Sequence, residues 1–166
     1  MRIRKGATVM SQRIFLHGLE SSNQSTKAVF FRERYPDMLI PNFQGPFRAR
    51  MERLEEILAG RSDLVITGSS YGGLMGAVFA MENEERVKRL VLLAPAINLP
   101  EFEAYRTRTI DIPVRIFHGR KDPVIPIAQI EPIARKCFRD LEFHPVEDDH
   151  FLHRTFKTLD WDRLLA

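Results

Sequence analysis

The sequence has 166 residues, of which 44% are hydrophobic and 28% are charged, a length and composition typical of one folded domain with its own core. Its 25 basic and 22 acidic residues are interspersed and give a formal net charge of +3, so no basic block or aromatic-basic module indicates nucleic-acid binding. No apolar run approaches the ~18 residues of a membrane span, no signal-peptide core follows the first residues, and the single cysteine, Cys137, cannot form an internal disulfide, so we expect a cytoplasmic protein without a membrane segment.

Short apolar runs predict six strands, and the helical spacing of apolar residues predicts five helices. The strands are expected at residues 13–16, 37–40, 64–67, 89–94, 113–117 and 141–146. The helices are expected at residues 26–35, 47–59, 71–82, 127–137 and 152–164. Residues 1–12 carry little pattern and are interpreted as an N-terminal arm or an edge strand, which leaves residues 13–166 as a single domain.

The alternation of strands and helices predicts the fold class. Strands separated by helices form a parallel sheet with helices on both faces, so we expect a three-layer α/β/α sandwich with a mostly parallel sheet. In such a sheet the functional loops gather beyond the carboxyl ends of the strands. In the second helix we expect Leu54 and Leu58 to face the core and Arg50 to face water.

The stretch from Gly68 to Gly72 reads Gly-Ser-Ser-Tyr-Gly and directly follows a predicted buried strand. It fits the G-x-S-x-G pattern of a nucleophile elbow, a sharp turn between a strand and a helix that exposes a serine at its tip, here Ser70. A serine on so tight a turn crowds the residues two positions away, so both of those positions must lack side chains. A glycine-rich turn without catalytic function has the same pattern, so the assignment depends on partners elsewhere in the chain.

Asp122 and His150 are the candidate partners of Ser70. A serine hydroxyl needs a base to take its proton, and the base needs an acid that fixes its tautomer and stabilises its cation. In this architecture the chain order is serine, acid, histidine, and both candidates follow predicted strands in that order. Three neighbours of the histidine are rival candidates for the acid: Glu147, Asp148 and Asp149.

Two backbone N–H groups are candidates for the oxyanion hole, which stabilises the negative oxygen of a tetrahedral intermediate. One belongs to Tyr71, because the residue after the nucleophile begins a helix whose dipole favours negative charge. The other is assigned to Leu19, in the loop after the first strand, where Gly18 lets the backbone come close. His17 and His118 each end a strand and are expected to hold their own loops by hydrogen bonds.

Three stretches carry a family resemblance: residues 15–22 (Phe-Leu-His-Gly-Leu-Glu-Ser-Ser), 68–73 (Gly-Ser-Ser-Tyr-Gly-Gly) and 118–122 (His-Gly-Arg-Lys-Asp). From about residue 13 to its end, the sequence resembles the α/β-hydrolase superfamily and most of all its small, capless serine esterases of the YqiA type. This resemblance implies a serine hydrolase that works through an acyl-enzyme, with Ser70, Asp122 and His150 as the triad and no cofactor. No metal site is expected.

The predicted activity is hydrolysis of short-chain carboxylic esters or thioesters, which are small-molecule substrates. Larger relatives insert a lid domain between the strand that ends at Ala94 and the one that begins at Val114, but here about twenty residues connect them, too few for a domain. We therefore expect an open cleft, partly roofed by Phe102 and Tyr105. Two alternatives remain: a binding protein on a hydrolase fold that no longer turns over, and an acyltransferase that uses the same triad.

Overall fold

A five-stranded sheet forms the centre of the fold, and all neighbouring strands in it are parallel. The computed structural model describes residues 10–166. The strands lie side by side in chain order and are β1 (Gln12–Leu16), β2 (Leu64–Ser69), β3 (Val87–Leu93), β4 (Val114–Gly119) and β5 (Leu141–Val146). Gln12 already belongs to β1, and residues 1–9 of the predicted arm lie outside the described residues.

Helices cover both faces of this sheet, so the predicted three-layer α/β/α fold is confirmed. They are α1 (Thr26–Arg34), α2 (Phe47–Leu58), α3 (Tyr71–Glu82), α4 (Ile127–Cys137) and α5 (Trp161–Leu164), with 3-10 helices at Glu84–Arg86, Pro100–Tyr105 and Phe156–Thr158. Phe31 of α1 and Trp161 of α5 belong to the hydrophobic core on one face. Leu54, Leu74 and Ile130, from α2, α3 and α4, belong to the core on the other face. Within residues 10–166 there is no cap domain, and no helix is long and apolar enough to cross a membrane.

Local sequence signals explain where several helices begin and end. The Ser25 hydroxyl accepts a hydrogen bond from the Ala28 N–H at 3.3 Å and so caps α1, as the sequence predicts. Gly60 follows α2 with a φ of +70°, a left-handed conformation that ends a helix easily only at glycine. Asp160 caps α5 by accepting from the Arg163 N–H at 3.2 Å.

The strand predicted at residues 37–40 is wrong. Only Leu39 pairs, in a single parallel bridge with Ile14, and the two hydrogen bonds of that bridge are both 2.9 Å. Pro36 and Pro41 flank the segment, and proline has no N–H to extend the ladder. The bridge nevertheless carries the chain past the outer edge of β1 before it returns to β2. The direction of winding therefore reverses between β1 and β2, which is where ligands bind in open α/β sheets.

The continuous last helix predicted at residues 152–164 is also wrong. The chain there forms turns, a 3-10 helix and then the four-residue α5. Leu152 has a φ of +54°, which a right-handed helix does not allow. The Asp148 carboxylate accepts from the N–H groups of Arg154 and Thr155, and the Thr155 N–H also donates to the Leu152 carbonyl at 3.2 Å, so these residues are held in a turn.

Candidate active site

Ser70 lies at a strained turn between β2 and α3. Its φ of 55° and ψ of −113° are rare for a residue with a side chain, and such strain often marks functional sites. The neighbouring strand holds the turn in place, because the Ser70 N–H donates to the Leu93 carbonyl at 2.9 Å. The Ser70 carbonyl in turn accepts from the Ala96 N–H at 3.0 Å. The sequence thus folds into the predicted elbow geometry, with the serine at its tip.

The two glycines of the motif permit close contacts between backbones. A Cβ at Gly68 would overlap the Gly72 carbonyl, and a Cβ at Gly72 would overlap the Leu16 carbonyl at the end of β1. Backbone atoms cannot rotate away as a side chain can. The turn therefore requires glycine at both positions: Gly68 because of crowding within the turn, as the sequence predicts, and Gly72 because β1 packs against it, which the sequence does not predict.

The structure brings Ser70, His150 and Asp122 together in one hydrogen-bonded row. The Ser70 Oγ lies 3.1 Å from His150 Nε2, and His150 Nδ1 lies 2.7 Å from Asp122 Oδ2. Since an ionised carboxylate only accepts hydrogen bonds, Nδ1 carries the imidazole proton and Nε2 is free to accept from the serine hydroxyl. The Asp122 side chain is fully buried and that of His150 is 9% exposed. This arrangement can pass a proton from the serine to the imidazole.

Further hydrogen bonds fix the orientation of the Asp122 carboxylate. Its Oδ1 accepts from the N–H groups of Val124 at 2.9 Å and Ile125 at 2.8 Å, so Oδ2 is left to face the histidine. His118 lies behind it, with Nε2 2.8 Å from the Ile125 carbonyl and 3.3 Å from Asp122 Oδ2. Burial lowers the pKa of His118, so the ring is neutral at pH 7 and donates from Nε2.

The loops that carry the acid and the histidine are joined directly. The Arg120 N–H donates to the Val146 carbonyl at 2.8 Å, and the Lys121 N–H donates to the Asp148 carbonyl at 3.1 Å. A Cβ at Gly119 would overlap the carbonyls of Asp148 and Asp149, so the close approach of the two loops depends on this glycine. Movement of one loop relative to the other is therefore restricted.

The three rival acids have other partners among the described residues. Glu147 forms an exposed ion pair with Arg120 at 3.0 Å, and Asp149 pairs with His153 at 2.8 Å. Asp148 accepts from three backbone N–H groups, those of Asp149, Arg154 and Thr155, at 2.8 to 3.0 Å. Asp122 is therefore the carboxylate that contacts His150 in residues 10–166.

Asp148→Asn is expected to lower the free energy of unfolding by about 1–3 kcal/mol at pH 7, because an amide has only one oxygen to accept these N–H groups. Burial alone would raise the pKa of Asp148, but hydrogen bonds, first from Thr155, lower it below the ordinary 3.8. The carboxylate's contribution is thus complete above the unfolded-state pKa and is lost as pH falls through the lower folded-state pKa. Urea denaturation should show the difference from wild type shrinking below about pH 4.

Glu147→Gln is the matched control for this prediction, because Glu147 and its partner are exposed and the pair contributes little. Its effect should stay within about 0.5 kcal/mol at every pH. A loss for Asp148→Asn that is equally small at pH 7 would show that the carboxylate does not hold the loop.

The loop after β1 leaves the N–H of Leu19 without an acceptor in residues 10–166. The preceding carbonyl, that of Gly18, accepts from His17 Nδ1 at 2.7 Å and from the Ser21 N–H at 3.3 Å. His17 Nε2 accepts from the Phe43 N–H at 2.9 Å, and burial lowers the pKa of the ring, so it is neutral at pH 7. A trans peptide points its C=O and N–H in opposite directions. The hydrogen bond from His17 to the Gly18 carbonyl therefore fixes the Leu19 N–H on the side of the peptide that faces away from His17.

The N–H of Tyr71 is likewise free of a partner within residues 10–166. It belongs to the first residue of α3, where an N–H has no acceptor inside the helix. Gly18, Leu19, Ser70 and Tyr71 all line the same cleft. Both predicted donor residues thus lie on the cleft that Ser70 lines.

The cleft has a volume of about 790 Å³, and exposed apolar side chains form part of its lining. Four large hydrophobic side chains are exposed in residues 10–166, and three of them line this cleft: Leu19 at 51%, Val124 at 61% and Phe151 at 58%.

The roof predicted over this cleft is wrong. Phe102 is buried in the core, and Tyr105 lines a separate groove where its hydroxyl donates to Glu82, because their 3-10 helix packs on α3.

Arg50 is a contact of the site that the sequence prediction missed. Expected to face water, it is only 4% exposed, and its guanidinium donates to the carbonyls of Gly45 and Leu19. A signal was present, because Arg50 lies four residues before Leu54 and eight before Leu58 and so shares their face of α2. The charge of arginine outweighed that spacing in the prediction.

Within residues 10–166, no group of three or more histidine, cysteine, aspartate or glutamate side chains is arranged to hold a metal ion.

Comparison with known proteins assigns the fold and the family. The family model of the dienelactone hydrolase family matches residues 8–145, a range that includes Ser70 and Asp122 and ends before His150. An alpha-beta serine hydrolase homologue from Coxiella burnetii superposes with a TM-score of 0.77 at 21% identity, covering 97% of this chain and 86% of that one. Alpha/beta hydrolase domain-containing protein 10 from mouse gives 0.74 at 19% identity, covering 97% and 88%.

Est1E from Butyrivibrio proteoclasticus, in a structure with ferulic acid bound, gives a TM-score of 0.74 at 15% identity and covers 94% of this chain and 87% of that one. At such identities these likenesses show the α/β-hydrolase fold. A search of curated proteins found no match.

Proposed function

Since the chain belongs to the dienelactone hydrolase family, we propose that it is a serine esterase that cleaves short-chain carboxylic esters or thioesters through an acyl-enzyme. The observation that carries the proposal is the hydrogen-bonded row of Ser70, His150 and Asp122, with 3.1 Å and 2.7 Å between its atoms. A protein that kept the hydrolase fold only for binding would not need these three groups to be aligned. The aligned row therefore favours catalysis over a binding role.

The proposed reaction begins when Ser70 Oγ attacks the ester carbonyl carbon and its proton passes to His150 Nε2. The carbonyl oxygen becomes negative, and the N–H groups of Leu19 and Tyr71 stabilise it, each by roughly 3 kcal/mol. The intermediate collapses as His150 returns the proton to the leaving alcohol or thiol, and the acyl group stays on Ser70. Water then attacks this ester while His150 takes its proton, and as the bond to Ser70 Oγ breaks, His150 returns that proton to Oγ and the carboxylic acid is released.

The cleft supports small substrates with an apolar part. It is open, no cap domain covers it in residues 10–166, and the exposed Leu19, Val124 and Phe151 offer apolar surface at its mouth. Acetate and butyrate esters, their thioesters and, because Est1E binds ferulic acid, one aromatic acyl ester form the panel to be tested. We propose that the protein acts on such small molecules in the cytoplasm and binds no nucleic acid. The reaction as written needs no cofactor.

The test is labelling with a fluorophosphonate, which phosphonylates a serine only where the serine is activated. We expect the wild type to take up one equivalent at pH 7.5, with the adduct on Ser70 by tandem mass spectrometry, and to lose esterase activity in parallel. Ser70→Ala should take no label, whereas Ser69→Ala, altered at the neighbouring hydroxyl, should still take it.

A folded wild type that stays unlabelled and hydrolyses no member of the panel would refute the proposal and favour the non-catalytic alternative. Product analysis in the presence of a competing alcohol separates hydrolysis from acyl transfer. Free acid as the main product supports the esterase, and a dominant new ester would instead identify an acyltransferase.

A further inference from the structure

We propose that Arg50 is a positioning residue of the oxyanion hole, holding the residues that supply both N–H donors and supplying positive charge behind them. This inference rests on the proposed esterase function. Arg50 belongs to none of the sequence motifs of the site. It lies on α2, far along the chain from both donors.

A single side chain contacts both donor residues. Arg50 Nη2 donates to the Leu19 carbonyl at 3.2 Å, and Nε donates to the Gly45 carbonyl at 2.8 Å in the loop before α2. The guanidinium carbon also lies 5.4 Å from the centre of the Tyr71 ring, within the range of a cation–π contact. Phe47, one turn earlier on α2, packs edge-on against the same ring at 5.9 Å. The first turns of α2 thus form a support shared by the two donors.

The contact with Leu19 completes the restraint of its backbone. His17 holds the peptide before Leu19 through the Gly18 carbonyl, and Arg50 holds the peptide after it through the Leu19 carbonyl. With both flanking peptides fixed, the Leu19 N–H has little freedom to turn away from the cleft. Preorganised donors of this kind stabilise a transition state without reorganising during the reaction.

The charge of Arg50 is buried and has no carboxylate among its hydrogen-bond partners. The residue is 4% exposed, two of its nitrogens donate to carbonyl oxygens, and Nη1 has no acceptor in residues 10–166. Residues 1–9 contain no aspartate or glutamate, and in residues 10–166 no carboxylate oxygen lies within 4.0 Å of a guanidinium nitrogen of Arg50; Glu101 interacts instead with Tyr71. A buried cation without a directly paired carboxylate is a poor device for stability. It is well suited to a site that becomes negative during the reaction.

The test compares Arg50→Met and Arg50→Lys with Arg53→Met. Methionine keeps the apolar stem without charge or donors, whereas lysine keeps the charge but cannot span both carbonyls. Arg53 is the matched control, because it lies on the same helix, is exposed and donates to one loop carbonyl, that of Asn42, at 2.9 Å. Each preparation is titrated with fluorophosphonate first, so that rates are counted per active site.

For Arg50→Met we expect kcat to fall about 30-fold to 100-fold with KM changed less than about 3-fold, because the lost interaction acts in the transition state. Affinity for a boronic acid, which forms a tetrahedral anionic adduct with the serine, should fall by the same factor. Arg50→Lys should lose about 3-fold to 10-fold, since it keeps the charge but not both hydrogen bonds, and Arg53→Met should stay within about 2-fold.

An Arg50→Met enzyme with kcat and boronate affinity within about 2-fold of wild type, or one that changes KM alone, overturns the inference. If Arg50→Met does not fold, Arg50→Lys decides the question by its kcat and its boronate affinity. The inference then requires that both fall by the same factor. A wild type that neither labels nor hydrolyses esters would instead refute the esterase proposal, so the two failures are distinguishable.

Discussion

Asp122→Asn is expected to lower kcat by about four orders of magnitude while the protein stays folded. The backbone around Asp122 dictates how the amide would sit. Oδ1 accepts from the N–H groups of Val124 and Ile125, so the amide oxygen must take that position. The NH2 group then replaces Oδ2, the atom that lies 2.7 Å from His150 Nδ1.

The consequence is a change of tautomer at His150. An amide NH2 can only donate, so Nδ1 would have to become the acceptor and the proton would move to Nε2. Nε2 faces the Ser70 hydroxyl at 3.1 Å, and once protonated it can no longer accept the serine proton. The side chains would keep their positions, and the base would be lost.

Steady-state kinetics on the best ester of the panel measures the loss, and 15N shifts of the imidazole report the tautomer directly. Asp149→Asn is the matched control, because Asp149 is on the histidine loop but contacts His153 and the Phe151 N–H. We expect that variant to keep kcat within about 3-fold. A loss below 10-fold for Asp122→Asn would mean that Asp122 is not the acid that orients the base.

The sheet and the members of the candidate site were predictable because both depend on order along the chain. Parallel strands separated by helices place their carboxyl ends at one edge, so a serine, an acid and a histidine that follow β2, β4 and β5 meet there. Chain order alone proposes Ser70, Asp122 and His150. The contacts in the structure were needed to set aside the rival acids, since Glu147, Asp148 and Asp149 each have other partners. The elbow was predictable because its pattern lies within five residues, although only Gly68 is required by a contact inside the motif, and Gly72 is required by the Leu16 carbonyl of β1.

What the sequence did not predict depends on contacts between distant segments. The helical spacing of Phe156, Leu159 and Leu164 predicts a helix, but Leu152 takes a left-handed φ of +54°, and the Asp148 carboxylate holds the following backbone in a turn. The sequence predicts that Arg50 faces water because arginine is usually exposed. In the structure its guanidinium is buried, where it donates to two loop carbonyls and contacts the Tyr71 ring. Hydrogen-bond acceptors offered by loops leave no periodicity in the sequence.

Gly72→Ala is expected to lower the free energy of unfolding by about 3–5 kcal/mol, although the substitution adds only one methyl group. Helix propensity alone predicts the opposite, because alanine is favoured over glycine within a helix by about 1 kcal/mol. Steric overlap decides the sign. The new Cβ would overlap the Leu16 carbonyl and lie 2.7 Å from the His17 carbonyl, so α3 and the end of β1 would have to separate. That separation would also move the loop that carries Leu19.

Gly60→Ala separates this steric effect from the general cost of replacing a glycine. Gly60 has a φ of +70° and no atom within 4 Å of an added Cβ, so its substitution costs only backbone strain, about 1 kcal/mol. Urea denaturation of both variants gives the comparison. If Gly72→Ala yields so little soluble protein that no curve can be measured while Gly60→Ala is produced normally, the same conclusion holds. Equal stabilities would mean that α3 can shift away from β1 at no cost, and the close packing of the elbow against β1 would then not be what holds Ser70 at the cleft.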